Sequence, residues 1–135
     1  MSEATGWILQ LTGTNIPTPI VVHLNDVVMV GRNVPGEARY VDIDLAAYQA
    51  DSMGVSRHHL TLYSDADRLM VKDPGSGNGT FVNGTRLKPD EGYRLGHGDR
   101  LQLGRMQLDL QVLLSPSYGG KIHPQSHVQL LEQTQ

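Results

Sequence analysis

The sequence predicts an all-β sandwich, and three observations predict it. Apolar residues recur at every second position, the period of a half-buried strand. Fifteen glycines and seven prolines break the 135 residues into short segments. Turn-forming pairs lie between those segments, and Asn83-Gly84 favours the positive φ angles of a tight hairpin. Many short strands separated by turns suit two packed sheets.

Taken in order, residues 7–12 form the first strand, with Trp7, Leu9 and Leu11 alternating with Ile8, Gln10 and Thr12. Short strands follow over residues 19–24, 27–31, 60–64, 69–73, 80–82, 86–88 and 100–104. The clearest pattern comes last, where Met106, Leu108, Leu110 and Val112 share a face opposite Gln107, Asp109 and Gln111. Residues 44–50 read as a helix of about two turns, with Asp44 as its N-cap. The alternation stops after Leu114. The expected organisation is one domain over residues 6–115 and a flexible tail over 116–135, linker-like as far as Gly120 and then either disordered or ending in a frayed helix near residues 128–131.

Composition narrows the function. The 11 basic and 14 acidic residues leave a formal charge of -3 and form no basic run. Nucleic acid is therefore not the expected partner. With no cysteine, disulfides and thiolate metal sites are excluded. Residues 1–6 resemble no signal sequence, and no apolar run is long enough to span a bilayer, so the expected location is cytoplasmic.

Three clusters carry the chemistry: Gly31-Arg32, Ser56-Arg57-His58-His59, and the run from Gly75 through Asn78-Gly79-Thr80-Phe81-Val82-Asn83-Gly84. Each stands where a strand gives way to a loop. Together they supply two guanidinium groups, a hydroxyl, a carboxamide and bare backbone N–H donors, an inventory suited to a phosphate. With the segment from Leu95-Gly96-His97-Gly98-Asp99 to Gly104, they occur in an order that resembles the forkhead-associated (FHA) family of phosphothreonine-binding domains.

The resemblance implies a sandwich of about eleven strands that binds a phosphothreonine peptide through loops at one end. It implies that Arg32 pairs with the phosphate or braces the pocket, that Ser56 donates its hydroxyl and that Arg57 adds a second charged contact. Asn78 would bond the peptide backbone, and His59 would brace the binding loop. Gly31, Gly79, Asn83 and Gly84 would be architectural. Many relatives carry Ser or Thr just before the asparagine, where this chain has Gly77.

Competing chemistries lack their parts. His58 and His59 point to opposite faces of a strand and have no third metal ligand beside them. A Ser56/His59/Asp73 triad has no nucleophile elbow around its serine. The glycine-rich run lacks the lysine of a nucleotide loop. His123 and His127 read as solvated. The expected function is a non-enzymatic, cofactor-free phosphothreonine reader, an adaptor or regulator downstream of a Ser/Thr kinase. Its partner is a threonine-phosphorylated protein or peptide. The alternative is a scaffold that docks partners through a sheet face, independent of phosphorylation.

Overall fold

A computed structural model describes residues 6–116, and the readings made for residues 1–5 and for the tail beyond 116 lie outside them. Eleven strands form two sheets. The strands are β1 (Trp7–Gly13), β2 (Ile16–Leu24), β3 (Val27–Gly31), β4 (Ile43–Asp44), β5 (His58–Asp65) and β6 (Arg68–Lys72). They continue with β7 (Thr80–Val82), β8 (Thr85–Arg86), β9 (Tyr93–Arg94), β10 (Arg100–Leu103) and β11 (Met106–Leu114). The first sheet runs β2-β1-β11-β10-β7-β8 and the second β4-β3-β5-β6-β9. The all-β sandwich expected from the alternation is the fold observed.

Alternating side chains build the core. Leu9, Leu11, Val22, Leu24, Leu108 and Leu110 of the first sheet meet Val28, Val30, Leu60, Leu62, Leu69 and Val71 of the second in one buried cluster. The opposite face of the first sheet is polar: Gln10 bonds Gln111, Gln107 bonds Gln102, and Arg100 pairs with Asp109 at 2.8 Å. Pro17 and Pro19 fall inside β2, an edge strand, where a missing N–H interrupts no ladder. Asn83 and Gly84 take φ values of 50° and 87°, the tight hairpin expected between β7 and β8.

The helix expected over residues 44–50 is absent. Ile43 and Asp44 instead pair in parallel with Val30 and Gly31, and Ala46–Tyr48 make one 3₁₀ turn closed by Gln49 at φ 65°. Asp44 is not the N-cap, a position that Leu45 takes without a side-chain bond; its Oδ1 instead accepts from Ala46 N–H at 3.0 Å and Asn33 N–H at 2.9 Å. From β4 it therefore ties the start of the long β3–β4 loop to the 3₁₀ turn that follows. Boundaries also moved, with β2 beginning at Ile16 and β5 at His58. The two-residue strands β4 and β9 had no periodicity to reveal them. Among the described residues no helix is long and apolar enough to cross a membrane.

Antiparallel order decides where the site lies. β3 pairs β5, and β5 pairs β6, so the end of β3, the start of β5 and the end of β6 share one end of the second sheet. Leu62 is fully buried at this centre, so Leu62→Ala should cost about 2–5 kcal/mol. Val21, which is half exposed, should tolerate Val21→Thr with a change within about 0.5 kcal/mol. Urea midpoints of the two variants check the contrast.

Candidate functional site

Loops from both sheets meet at that end, and hydrogen bonds hold them in register. Gly31 ends β3 at a bulge, and a Cβ there would run into the Arg57 carbonyl, so the position requires glycine. The close approach lets Arg32 N–H donate to Arg57 O at 3.0 Å. The Arg32 Nε donates to the Val55 carbonyl at 2.7 Å, and its outer nitrogen lies 3.6 Å from Asp51. The guanidinium is thus aimed alongside Ser56 by a backbone carbonyl. Ser56 Oγ accepts from Gly77 N–H at 3.2 Å, which leaves the hydroxyl proton available to a ligand.

The third cluster is tied to the second from two sides. Asn78 Nδ2 donates to the Gly54 carbonyl at 3.0 Å and the side chain stays exposed. His59 is fully buried; its Nδ1 accepts from Ser56 N–H at 2.9 Å and its Nε2 donates to the Gly79 carbonyl at 2.8 Å. Both ring nitrogens are committed to backbone, so His59 cannot serve as the base of a Ser56/His59/Asp73 triad. His58 faces the other way, edge-on to Tyr40 and bonded to Thr61 Oγ1. Gly79, at φ 90°, holds a conformation that L side chains rarely adopt.

Sequence reasoning missed the residue that organises the glycine-rich loop. Asp73 Oδ1 accepts from Gly75 N–H at 2.7 Å and Ser76 N–H at 2.6 Å, while Oδ2 accepts from the Ser76 hydroxyl at 2.6 Å and the Thr80 hydroxyl at 2.8 Å. Ser76 Oγ in turn accepts from Gly79 N–H at 3.1 Å. The available signal was Asp73-Pro74-Gly75-Ser76, an acid followed by turn residues whose N–H groups it can accept.

Arg32, Ser56, Arg57 and His58 line an open groove of about 610 Å³ together with Val34, Glu37, Ala38 and Tyr40. Asn78 stands outside these walls, joined to them through the Gly77–Ser56 hydrogen bond. Arg57 is largely exposed and pairs with Glu37 at 3.3 Å. Glu37 also went unnoticed in the sequence. It closes a type II turn, Val34-Pro35-Gly36-Glu37, with Gly36 at φ 85° and Glu37 N–H donating to Val34 O at 3.1 Å. Asn83 and Gly84 belong to the β7–β8 hairpin and support the site only through β7.

Protonation of the two buried anchors sets the pH range of this end. Burial would raise the Asp73 pKa, but the hydrogen bonds from Ser76, Gly75 and Thr80 together bring it below the ordinary 3.8. Burial lowers the His59 pKa below 6.5, against the opposing pull of the Gly79 bond and of Asp73. Both pKa values are lower in the folded state, so each group's full stabilisation holds above its unfolded value. Stability should start to fall as pH drops through 6.5, as unfolded His59 takes up its proton, and fall again below 3.8 as Asp73 does. Urea midpoints from pH 8 to 5 should show the first loss, and His59→Asn should reduce it while lowering the midpoint throughout, leaving the part due to His58, whose pKa burial also lowers.

Comparison with known proteins agrees with this geometry. The family model described as FHA domain matches residues 28–104. Protein FraH of Nostoc sp. is 37% identical over 82 residues, 61% of this chain and 27% of that protein. The oxoglutarate dehydrogenase inhibitor of Corynebacterium jeikeium is 31% identical over 80 residues, 59% of this chain and 51% of that protein. The chain thus spans about half or less of these relatives. The solution structure of the FHA domain of an Arabidopsis thaliana hypothetical protein superposes with a TM-score of 0.65 at 27% identity, covering 83% of this chain and 91% of that one. The crystal structure of the MEK1 FHA domain in complex with a HOP1 phosphothreonine peptide does so at 0.58 and 27%, covering 77% and 95%. With its two-sheet fold and a family match over more than half of its length, the chain belongs to the FHA domain family.

Proposed function

We propose that residues 6–115 form a non-catalytic domain that reads phosphothreonine, with Arg32, Ser56, Arg57 and Asn78 as its contacts. The observation that carries this reading is the convergence of Arg32, Ser56 and Arg57 on one groove, with Asn78 beside it. A phosphothreonine brings about -1.5 to -2 charges and three strong acceptor oxygens. Arg32 and Arg57 supply planar, permanently charged donors that match those oxygens. Ser56 adds its hydroxyl proton, and Asn78 offers an amide to the peptide backbone.

The magnitudes are sufficient. Hydrogen bonds to charged groups contribute about 1.5–3 kcal/mol each. Three of them offset the cost of ordering a flexible peptide and leave a reversible complex. The 27% identical MEK1 domain, solved with a phosphothreonine peptide, supports the ligand class. The Corynebacterium relative, named as an enzyme inhibitor, supports a regulatory role; a Ser/Thr kinase upstream follows from the proposed ligand, since such an enzyme must make the phosphothreonine. Docking through a sheet face draws no support from the surface. The exposed large apolar side chains among the described residues are Val21 in β2, Val27 in β3 and Tyr40 in the β3–β4 loop.

Arg32→Ala and Ser56→Ala should each weaken binding of a phosphothreonine peptide about tenfold or more, read by fluorescence polarisation. Wild-type affinity in both variants would overturn the assignment. A gain is expected at Gly77, where a Cβ meets nothing within 4 Å and φ is not positive. Gly77→Ser sets a hydroxyl next to the Ser56 oxygen and should tighten binding about tenfold or more, by about the weight of one charged hydrogen bond. Wild-type affinity should also fall between pH 8 and 5, because the ligand loses its second charge near pH 6.

A further inference from the structure

We propose that Glu37, backed by Tyr40, selects threonine-phosphorylated segments that carry a lysine or arginine close to the phosphothreonine. The inference rests on the phosphothreonine reading above and extends it to the flanking sequence. The Glu37 carboxylate lies 3.3 Å from the Arg57 guanidinium. A phosphate that takes up Arg57 displaces this carboxylate, because two anions cannot share the one fork without repulsion. The displaced carboxylate does not leave the groove. Its turn is closed by Pro35 and Gly36, and the loop behind it is fixed where Asn33 Oδ1 accepts from Tyr40 N–H and Val41 N–H.

Binding therefore turns an internal ion pair into an unpaired carboxylate in the groove, close to the phosphate. Tyr40 lines the same groove, 56% exposed, with its ring braced by His58 at a centroid distance of 6.1 Å. A carboxylate beside an open aromatic face is a site for an ammonium or guanidinium group. Val34 and Ala38 supply apolar surface for the methylene stem of such a side chain. An acidic flanking residue would meet Glu37 as a like charge and be refused.

The test uses phosphothreonine peptides with Lys, Ala or Glu at single positions within a few residues on either side of the phosphothreonine. Binding to the full chain is read by fluorescence polarisation. At the responsive position the wild type should prefer Lys over Glu by about five- to tenfold, the weight of one exposed ion pair with one cation–π contact. Glu37→Gln should bring that ratio close to one and strengthen binding of the Ala peptide, since the internal competitor for Arg57 is gone. Glu37→Lys should reverse the preference, and Tyr40→Ala should reduce it in part. Ratios between peptides on one preparation do not depend on how much of a variant is folded. A Lys preference that survives Glu37→Gln overturns the selection by Glu37 alone. Failure of every phosphopeptide to bind the wild type overturns the phosphothreonine reading beneath it.

Discussion

One neutral imidazole joins the two sheets at the binding end. His59 belongs to β5 in the second sheet, and Gly79 immediately precedes β7 in the first. The ring accepts from Ser56 through Nδ1 and donates to Gly79 through Nε2, so one tautomer meets both demands. Protonation would set a second N–H against the Ser56 N–H and leave a charge without solvent. Ser56 and Arg57 can be presented in a fixed position only while this ring is neutral. The adjacent histidine takes no part, because successive residues of a strand face opposite ways.

Asp73 plays the matching part for the glycine-rich loop. Residues 75–79 contain three glycines and lie in no strand, a composition with much backbone freedom to lose. The carboxylate substitutes for a ladder by accepting two N–H groups and two hydroxyls on its two oxygens. Its preference for the ionised state follows from those donors, which outweigh its burial. The order this imposes lets Gly77 N–H reach Ser56 and Asn78 reach Gly54. Two buried groups, one neutral and one anionic, thus order an exposed cationic surface that has little regular structure of its own.

Much of this was legible in the residues, and the exceptions have physical causes. Alternation in residues 106–112 identified β11, and Asn83-Gly84 identified a hairpin, because both signals are local. Residues 44–50 failed as a helix because tertiary pairing of Ile43 and Asp44 with β3 overrode a weak propensity. Strands of two residues, β4 and β9, carry no period to detect. In the site, Arg32, Ser56 and Arg57 were legible as donors and do come together. Asp73 and Glu37 were not, because an acid that organises a loop or pairs across a groove has the same appearance in sequence as one in solvent. Their roles depend on which N–H groups and which guanidinium the fold brings near.

The charge of the whole protein sharpens the need for local design. A formal charge of -3 does not attract a phosphorylated segment from a distance, and at physiological salt its field decays within about 8 Å. Recognition therefore depends on groups inside the groove. Arg32 is oriented by a neutral backbone carbonyl, with Asp51 no nearer than 3.6 Å, so most of its field stays available. Arg57 is oriented by a carboxylate, in a pair exposed enough to be weak. A phosphate dianion with three acceptor oxygens competes well against one solvated carboxylate, whereas an unphosphorylated acidic side chain offers no comparable advantage. On the proposed reading of Arg57 as a ligand contact, the Glu37–Arg57 pair raises the threshold for entry and favours a doubly charged anion over the carboxylates that any acidic peptide could present.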